Sequence, residues 1–313
     1  MWRLGLAALG VAALAVVSLL VGVGDLSEGG AAARHLLVQS RVPRTLALIL
    51  AGTAMAVSGL LMQLMVRNRF VEPSTSGTVE SAGLGMVCVT LWAPHLSIMA
   101  RTATISLFAM AGTFLFLRIL RSVPVRSALI VPLTGIALSG IIHAISAFLA
   151  YRYDLLQSLN AWLLGDFSIV MKGRYEMLYL ALGLTAVAYL AADRFTVAGL
   201  GEGFATNLGV SYEQVLRFGV VIVAAVSATV VTTVGVIPFL GLVVPNAVSL
   251  VMGDNARRSI PVISLLGAGL VLACDIVGRL VNYPFEVPIG TVMGVIGSAL
   301  FLILVLRSEA RHA

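Results

Sequence analysis

Charge is scarce in this chain. Of its 313 residues only 11% are Asp, Glu, Lys or Arg, where a soluble globular protein carries about 25%. Too few remain to cover a water-soluble body of this size, which excludes a soluble enzyme, a disordered polymer and a secreted disulfide scaffold. Lysine is scarcer still: Lys172 stands alone among 20 basic residues, the other 19 being arginine. A phosphate-cradling P-loop needs a lysine after a glycine-rich turn, yet Lys172 follows Ile169, Val170 and Met171. The sequence therefore has no ATP site of that kind. Cysteine is limited to Cys88 and Cys274, each inside an apolar run without a second ligand nearby. They read as small core residues rather than as a redox pair or a metal site. No His, Cys and carboxylate group has metal spacing, so no metal site is assigned, and no serine–histidine–acid set can be drawn. An intramembrane enzyme would lack its nucleophile and base.

What fills the chain is apolar: 59% hydrophobic residues, with a mean hydropathy of +1.04. Such a composition implies lipid as the main solvent. A spanning helix takes about 20 apolar residues, and short connections leave room for roughly ten. Cut at charges and prolines, the apolar stretches fall at 4–23, 43–66, 74–92, 96–117, 127–150, 176–193, 215–235, 239–252, 260–280 and 288–306. These runs are continuous and do not alternate every second residue, which excludes a membrane barrel. The expected fold is all-α, a polytopic membrane protein of about ten transmembrane helices forming one domain over 1–313. The first stretch is longer than the apolar core of a signal peptide and reads as the first transmembrane helix.

The arginines orient it. With the N-terminus inside, 12 basic residues are cytoplasmic, the strongest signals being Arg118 to Arg126 and the pair Arg257-Arg258. Eight lie outside: Arg34, Arg41, Arg44, Arg101, Arg152, Lys172, Arg174 and Arg279. This is the inward bias of the positive-inside rule, and an even number of spans returns the C-terminus to the cytoplasm. The pI of about 9.8 is absorbed by these loops, so no nucleic-acid partner is expected.

Four features carry candidate roles. Arg41 and Arg44 flank Pro43 where the second span begins, three apart and on one side of a helix end. They read either as snorkelling anchors or as an outward-facing guanidinium pair for an acidic partner. Asp275 and Arg279, four apart in the ninth span, share a face and form an intramembrane ion pair, either for packing or for function; Arg279 lies near the outer rim. In Gly199 to Tyr212, expected to be cytoplasmic, Leu200, Phe204 and Leu208 recur every four residues, with Gly203 and Gly209 loosening or ending the helix. That stripe, without a basic flank, suits a partner's groove better than a lipid surface. Finally Tyr151 to Asp166 holds Leu155, Leu156, Leu159, Trp162 and Leu163 at helical spacing, a partial helix at the outer mouth that either packs the core or gates a path. Glu80 and His143 read as hydrogen-bonded interior residues rather than proton carriers.

Arg41-Val42-Pro43-Arg44-Thr45, then Gly52, Ser58-Gly59, Gln63 and the loop from Arg67-Asn68 to Glu72-Pro73 resemble the FecCD family. These are permease subunits of bacterial ABC importers for iron–siderophores, haem and vitamin B12. The resemblance continues through Gly201-Glu202 to Leu208-Gly209, Pro238 to Pro245, Asp275 to Arg279, and Glu286 to Gly290. The wording from Pro238 to Asn246, Cys274 to Leu280 and Tyr283 to Pro288 is most similar to catecholate-siderophore permeases of the vibriobactin, enterobactin or petrobactin type. Asn246 stands where many members have histidine, and Gly77-Thr78-Val79-Glu80 departs from the commoner wording; both point away from vitamin B12.

The resemblance implies a non-enzymatic transport subunit of the bacterial inner membrane, with both termini cytoplasmic. Its expected partners are a second permease, most often a different chain, two ATPase subunits, a periplasmic or lipid-anchored binding protein, and a ferric siderophore as cargo. ATP and Mg belong to the ATPase, and this chain binds no cofactor of its own. Arg41, Arg44 and Arg279 correspond to the arginines that receive acidic residues of the binding protein. Leu200, Gly201, Glu202, Phe204, Leu208 and Gly209, in a loop of about 194–213, correspond to the ATPase-coupling segment. Leu159, Trp162, Leu163 and Gly165, in a region of about 151–170, correspond to the gate. A proton-coupled secondary transporter would instead use carboxylates such as Glu80 or Asp275.

Overall fold

The computed structural model describes residues 2–22, 30–122 and 130–309. Its elements are α1 (Trp2–Leu20), α2 (Gly30–Leu36), α3 (Val42–Val66), α4 (Thr78–Trp92), α5 (Ile98–Ser122), α6 (Ile130–Arg152) and α7 (Leu156–Leu163). They continue as α8 (Leu178–Leu190), α9 (Ala192–Gly199), α10 (Glu202–Asn207), α11 (Tyr212–Val234), α12 (Leu240–Met252), α13 (Ala256–Val281) and α14 (Ile289–Glu309). A π-helical segment, Leu37–Arg41, joins α2 to α3 without a break. Among the described residues the only β-type pairing is a single parallel bridge between Leu164 and Val236.

Among the described residues six helices are long and apolar enough to cross a membrane: Ala33–Val66, Ile98–Leu120, Ile130–Arg152, Tyr212–Val234, Ala256–Val281 and Ile289–Leu306. The bent pair α8 and α9, turned by 65°, makes up to seven, and Leu4–Leu20, Thr78–Trp92 and Leu240–Met252 are shorter apolar helices. Each expected stretch therefore falls on an apolar helix, but the three short ones and the broken sixth depart from full-length straight spans.

The core is organised around α3, which is buried along most of its length and packs against α13, α12, α11 and α8. Its small residues allow this. A Cβ on Gly59 would come within 2.3 Å of the Gly241 Cα, so α3 and α12 touch backbone to backbone, the small-residue packing used where lipid supplies no hydrophobic drive. The Gln63 amide reaches across to donate to the Gly241 carbonyl at 2.9 Å. α12 begins at Phe239, whose φ of 62° is uncommon for a bulky residue. Its amide is held by the Glu72 carboxylate at 3.0 Å, and its ring packs on Phe301 at 6.3 Å between centroids.

Inter-loop contacts define two ends. At one, Arg69 pairs with Asp254 at 2.7 Å and Arg257 with Asp193 at 3.0 Å, joining the α3–α4 loop to the α12–α13 turn and α13 to α9. At the other, Arg101 donates to Thr90 at 3.0 Å and the Lys172 amide to the Gln39 carbonyl at 3.1 Å. These are called the inner and outer ends, after the orientation expected from the arginines.

Candidate functional site

The outer arginines converge on α1 and α13. Pro43 lies in the first turn of α3, and this turn carries Arg44 toward α13. Arg44 Nε and Nη2 both donate to Asp275 Oδ1, at 3.1 and 2.7 Å. Its Nη1 donates to Glu286 Oε2 at 2.7 Å. The other Asp275 oxygen pairs with Arg279 Nη2 at 2.5 Å, one turn along α13. Arg279 then donates through Nη1 to the carbonyls of Ser18 and Val21, at 2.9 and 2.6 Å, and through Nη2 to the Ser18 hydroxyl at 2.7 Å. Arg41 Nη1 takes the neighbouring carbonyls of Leu19 and Leu20 at 2.8 and 3.1 Å.

The last carbonyls of a helix lack intrahelical donors and carry partial negative charge. Two guanidiniums therefore cap the end of α1 and tie it to α3 and α13. Of the Arg41–Arg44 pair, Arg41 turns inward at 7% exposure, as Arg279 does at 5%. Arg44, with its side chain 14% exposed, reaches the rim where it meets the Glu286 side chain, 28% exposed. The three guanidiniums are thus brought together, and Arg44 makes its bond to Glu286 at the solvent-facing rim. The physical reason is the carboxylate between them. A buried charge without a partner is costly, and Asp275 draws two of the three arginines onto itself.

At the inner end the helical stripe is shorter than its spacing suggests. α10 comprises only Glu202–Asn207. Gly201, with φ of +111°, breaks the backbone after Leu200, and Gly209, with φ of +73°, ends it, while Gly203 sits inside the helix instead of loosening it. A Cβ at Gly201 would also press within 2.7 Å of Arg67 Nη1. Ala205 is fully buried and anchors α10, leaving Leu200, Phe204 and Leu208 at 57%, 65% and 62% exposure. Glu202 is exposed beside them. A cleft of about 540 Å³ lined by Arg194, Phe195, Val210, Gln214 and Phe218 lies next to this patch.

The region after α6 turns back into the bundle. Leu159 is fully buried with Val87 of α4 and Ala150 of α6, and Trp162 and Leu163 pack half-buried beside them. Gly165 is buried where three segments cross. The Asp166 amide donates to the Val234 carbonyl and the Gly290 amide to the Gly165 carbonyl, both at 2.9 Å. The chain leaving α7 is thereby stitched to the end of α11 and the start of α14.

Glu72 emerges from the structure as a central residue that sequence reading quoted but gave no role. It is buried, accepts from Ser74 at 2.5 Å, and sits at the start of α12, where a helix favours negative charge. Burial pushes its carboxyl above the usual carboxylate range, opposed by hydrogen bonds from Ser74 and the Phe239, Gly241 and Leu242 amides. Its local signal is the Glu72-Pro73-Ser74-Thr75 turn, whose Thr75 hydroxyl caps the Glu72 amide at 3.0 Å. Asn246 donates to the carbonyls of Arg69 and Leu242, each at 2.8 Å, fastening the α3–α4 loop to α12. Glu80 accepts from Ser139 at 3.2 Å, whereas His143 is exposed on α6, contrary to its expected interior position. Among the described residues no three His, Cys, Asp or Glu side chains are grouped closely enough for a metal ion.

Comparison with known proteins covers nearly the whole chain. The profile of the FecCD transport family matches residues 5–307. The petrobactin import system permease protein YclN of Bacillus subtilis is 44% identical over 302 residues, covering 95% of this chain and 96% of that protein. The ferric-anguibactin transport system permease protein FatD of Vibrio anguillarum is 40% identical, covering 87% of this chain and 86% of that protein. Among solved structures, a metal-chelate type ABC transporter in an inward-facing conformation superposes with a TM-score of 0.82 at 25% identity, covering 97% of this chain and 99% of that one. With its apolar helices and a match over almost its full length, the chain belongs to the FecCD transport family, whose members are transport subunits rather than enzymes.

Proposed function

We propose that this chain is the membrane permease of an ATP-driven importer that carries a ferric siderophore of the petrobactin type across the bacterial inner membrane by alternating access. The observation that carries this reading is the 44% identity to a petrobactin permease over 95% of the chain. Two permeases, two ATPase subunits and an external binding protein make up the assembly, with the second permease a different chain. Ten spans with both termini in the cytoplasm put α10 on the ATPase side and the Arg44–Glu286 rim on the binding-protein side.

The geometry supports a division of labour. Leu200, Phe204 and Leu208 form an exposed apolar patch on a short helix held by the buried Ala205, a shape suited to a groove on the ATPase. At the rim, an acidic group of the binding protein replaces Glu286 on Arg44, with Arg41 and Arg279 contributing positive field from beneath. Movement transmitted through α10 and α9 reaches α3 and α11, against which α9 packs. The α11 terminus, in turn, is stitched to the segment after α7.

The test is reconstitution in proteoliposomes with the co-purified permease, ATPase and binding protein. Ferric petrobactin delivered by the binding protein is expected to stimulate ATP hydrolysis and accumulate in the lumen. Uptake that proceeds without ATPase and collapses with the proton gradient would overturn the reading in favour of a proton-coupled carrier.

A further inference from the structure

The seam between α4 and α6 carries polar groups where a lipid-facing surface would carry none. Glu80, in the first turn of α4, accepts from the Ser139 hydroxyl of α6 at 3.2 Å. Ser139 and His143 flank the midpoint of α6 (Ile130–Arg152) and stand one turn apart on the same edge. His143 is exposed, and Gly140 beside it is open. The opposite face of α6 presents Ile141 and Phe148, 61% and 68% exposed, as expected of a surface meeting hydrocarbon or an apolar partner.

A carboxyl at the start of α4 that reaches the middle of α6, and an imidazole there, face a bundle interior, a water-filled cavity or another protein, not lipid. The chain does not enclose them by itself: Glu80 and Ser139 are only half-buried. α7 covers the seam further out, where Leu159 packs with Val87 and Ala150, two turns toward the outer end from Glu80 and His143. The polar groups thus lie directly inward of the segment expected to gate the path.

We propose that Glu80, Ser139 and His143 form a polar station in the cargo passage of the assembled importer. It offers a carboxylate acceptor, a hydroxyl that both donates and accepts, and an imidazole. These suit passing contacts with the hydroxyl, amide and carboxylate groups of a ferric chelate once it is inside α7. No arginine belongs to the trio, so an anionic chelate is not held tightly, and release inward is not opposed. This inference rests on the importer reading above.

The experiment uses the complete reconstituted importer, with single cysteines Ser139→Cys, His143→Cys and Phe148→Cys placed in a Cys88→Ala, Cys274→Ala background. A water-soluble methanethiosulfonate is expected to label positions 139 and 143 and to leave 148 unlabelled. Trapping ferric petrobactin in the importer with a non-hydrolysable ATP analogue is expected to abolish labelling at 139 and 143. Inert cysteines at both positions, in an importer that still takes up ferric petrobactin, overturn the station. So does labelling that the trapped chelate leaves unchanged. Absence of ferric petrobactin uptake in the parent importer overturns the cargo reading itself, and is read separately from the cysteines.

Discussion

Replacing Asp275 by asparagine is the most informative single perturbation of the outer cluster. The two side chains have the same shape, so packing is conserved while one charge is lost. Asp275 is 2% exposed and lies between two guanidiniums, taking Arg44 on one oxygen and Arg279 on the other. In the variant the amide oxygen can still accept from one arginine, but the amide nitrogen then faces the donors of the other. Removing one partner of a buried ion pair costs about 3–5 kcal/mol, because the remaining charge stays buried without compensation. Part of that loss is spared, since Arg44 keeps Glu286 and Arg279 keeps the Ser18 and Val21 carbonyls. The expected destabilisation is therefore near the lower bound, about 3 kcal/mol. Glu286→Gln serves as the contrast: it breaks a rim pair with side chains 14% and 28% exposed, and should cost at most about 1 kcal/mol. The assay is thermal inactivation of the detergent-solubilised permease followed by size-exclusion profile, at low and high salt. Asp275→Asn should lower the midpoint far more than Glu286→Gln and should be insensitive to salt, because buried charges are little screened. Equal midpoints for the two variants would show that Asp275 does not hold the cluster together.

Arg279→Met removes the guanidinium that caps α1 at Ser18 and Val21; it should expose the start of the α1–α2 connection to protease while leaving α3 to α14 resistant, as read by limited proteolysis. Phe204→Asp combined with Leu208→Asp should abolish binding-protein-stimulated ATP hydrolysis, because each side chain contributes about 1.5–3 kcal/mol when buried on a partner. Wild-type stimulation in that double variant counts against the coupling role. Gly59→Val drives a branched side chain into the Gly241 backbone, where even a Cβ would lie at 2.3 Å. Loss of membrane-inserted protein on immunoblot is expected, whereas Gly183→Val, with open space at its Cβ, should accumulate normally. Arg44→Glu should slow association with the binding protein and flatten its salt dependence, as rim charges do, measured by surface plasmon resonance on the nanodisc-embedded importer.

The fold was legible because lipid makes apolar run length decisive. Every expected stretch became a helix; the short eighth one, α12, was already short as an apolar run, whereas α1 and α4 are shorter than theirs. α12 begins where its apolar run does, with Glu72 from a distant loop holding the Phe239 amide, whereas α8 breaks at Ala191, which no proline or glycine announces. Periodicity likewise placed Leu200, Phe204 and Leu208 on one surface, although the helix beneath them is only Glu202–Asn207. Spacing says which side chains lie near one another and not which way they turn. Arg41 and Arg44, three apart at one helix end, turn to different partners because the carbonyls of α1 and the carboxylate of Asp275 compete for them. Neither partner is near them in sequence.

The two ends of the molecule invert the usual arrangement of polarity. In the outer cluster Arg41, Arg279 and Asp275 are drawn inward and satisfied within the chain; at the inner end large apolar side chains stand exposed on an anchored helix. A water-facing loop gains nothing by presenting Phe204 at 65% exposure, and a rim meant for tight static binding would not satisfy its own arginines first. The exposed apolar patch suits a partner that stays, since burying it is favourable at every moment of the cycle. The self-satisfied rim suits one that comes and goes. An arriving acidic group must displace Glu286 from Arg44, so docking exchanges one ion pair for another and its net strength remains modest. Dissociation then restores the internal pair. On this argument Glu286→Gln should strengthen binding-protein docking by leaving Arg44 without its rim carboxylate, while changing stability little. Weaker docking in that variant would show that Glu286 itself contacts the partner and that Arg44 is not the residue being exchanged.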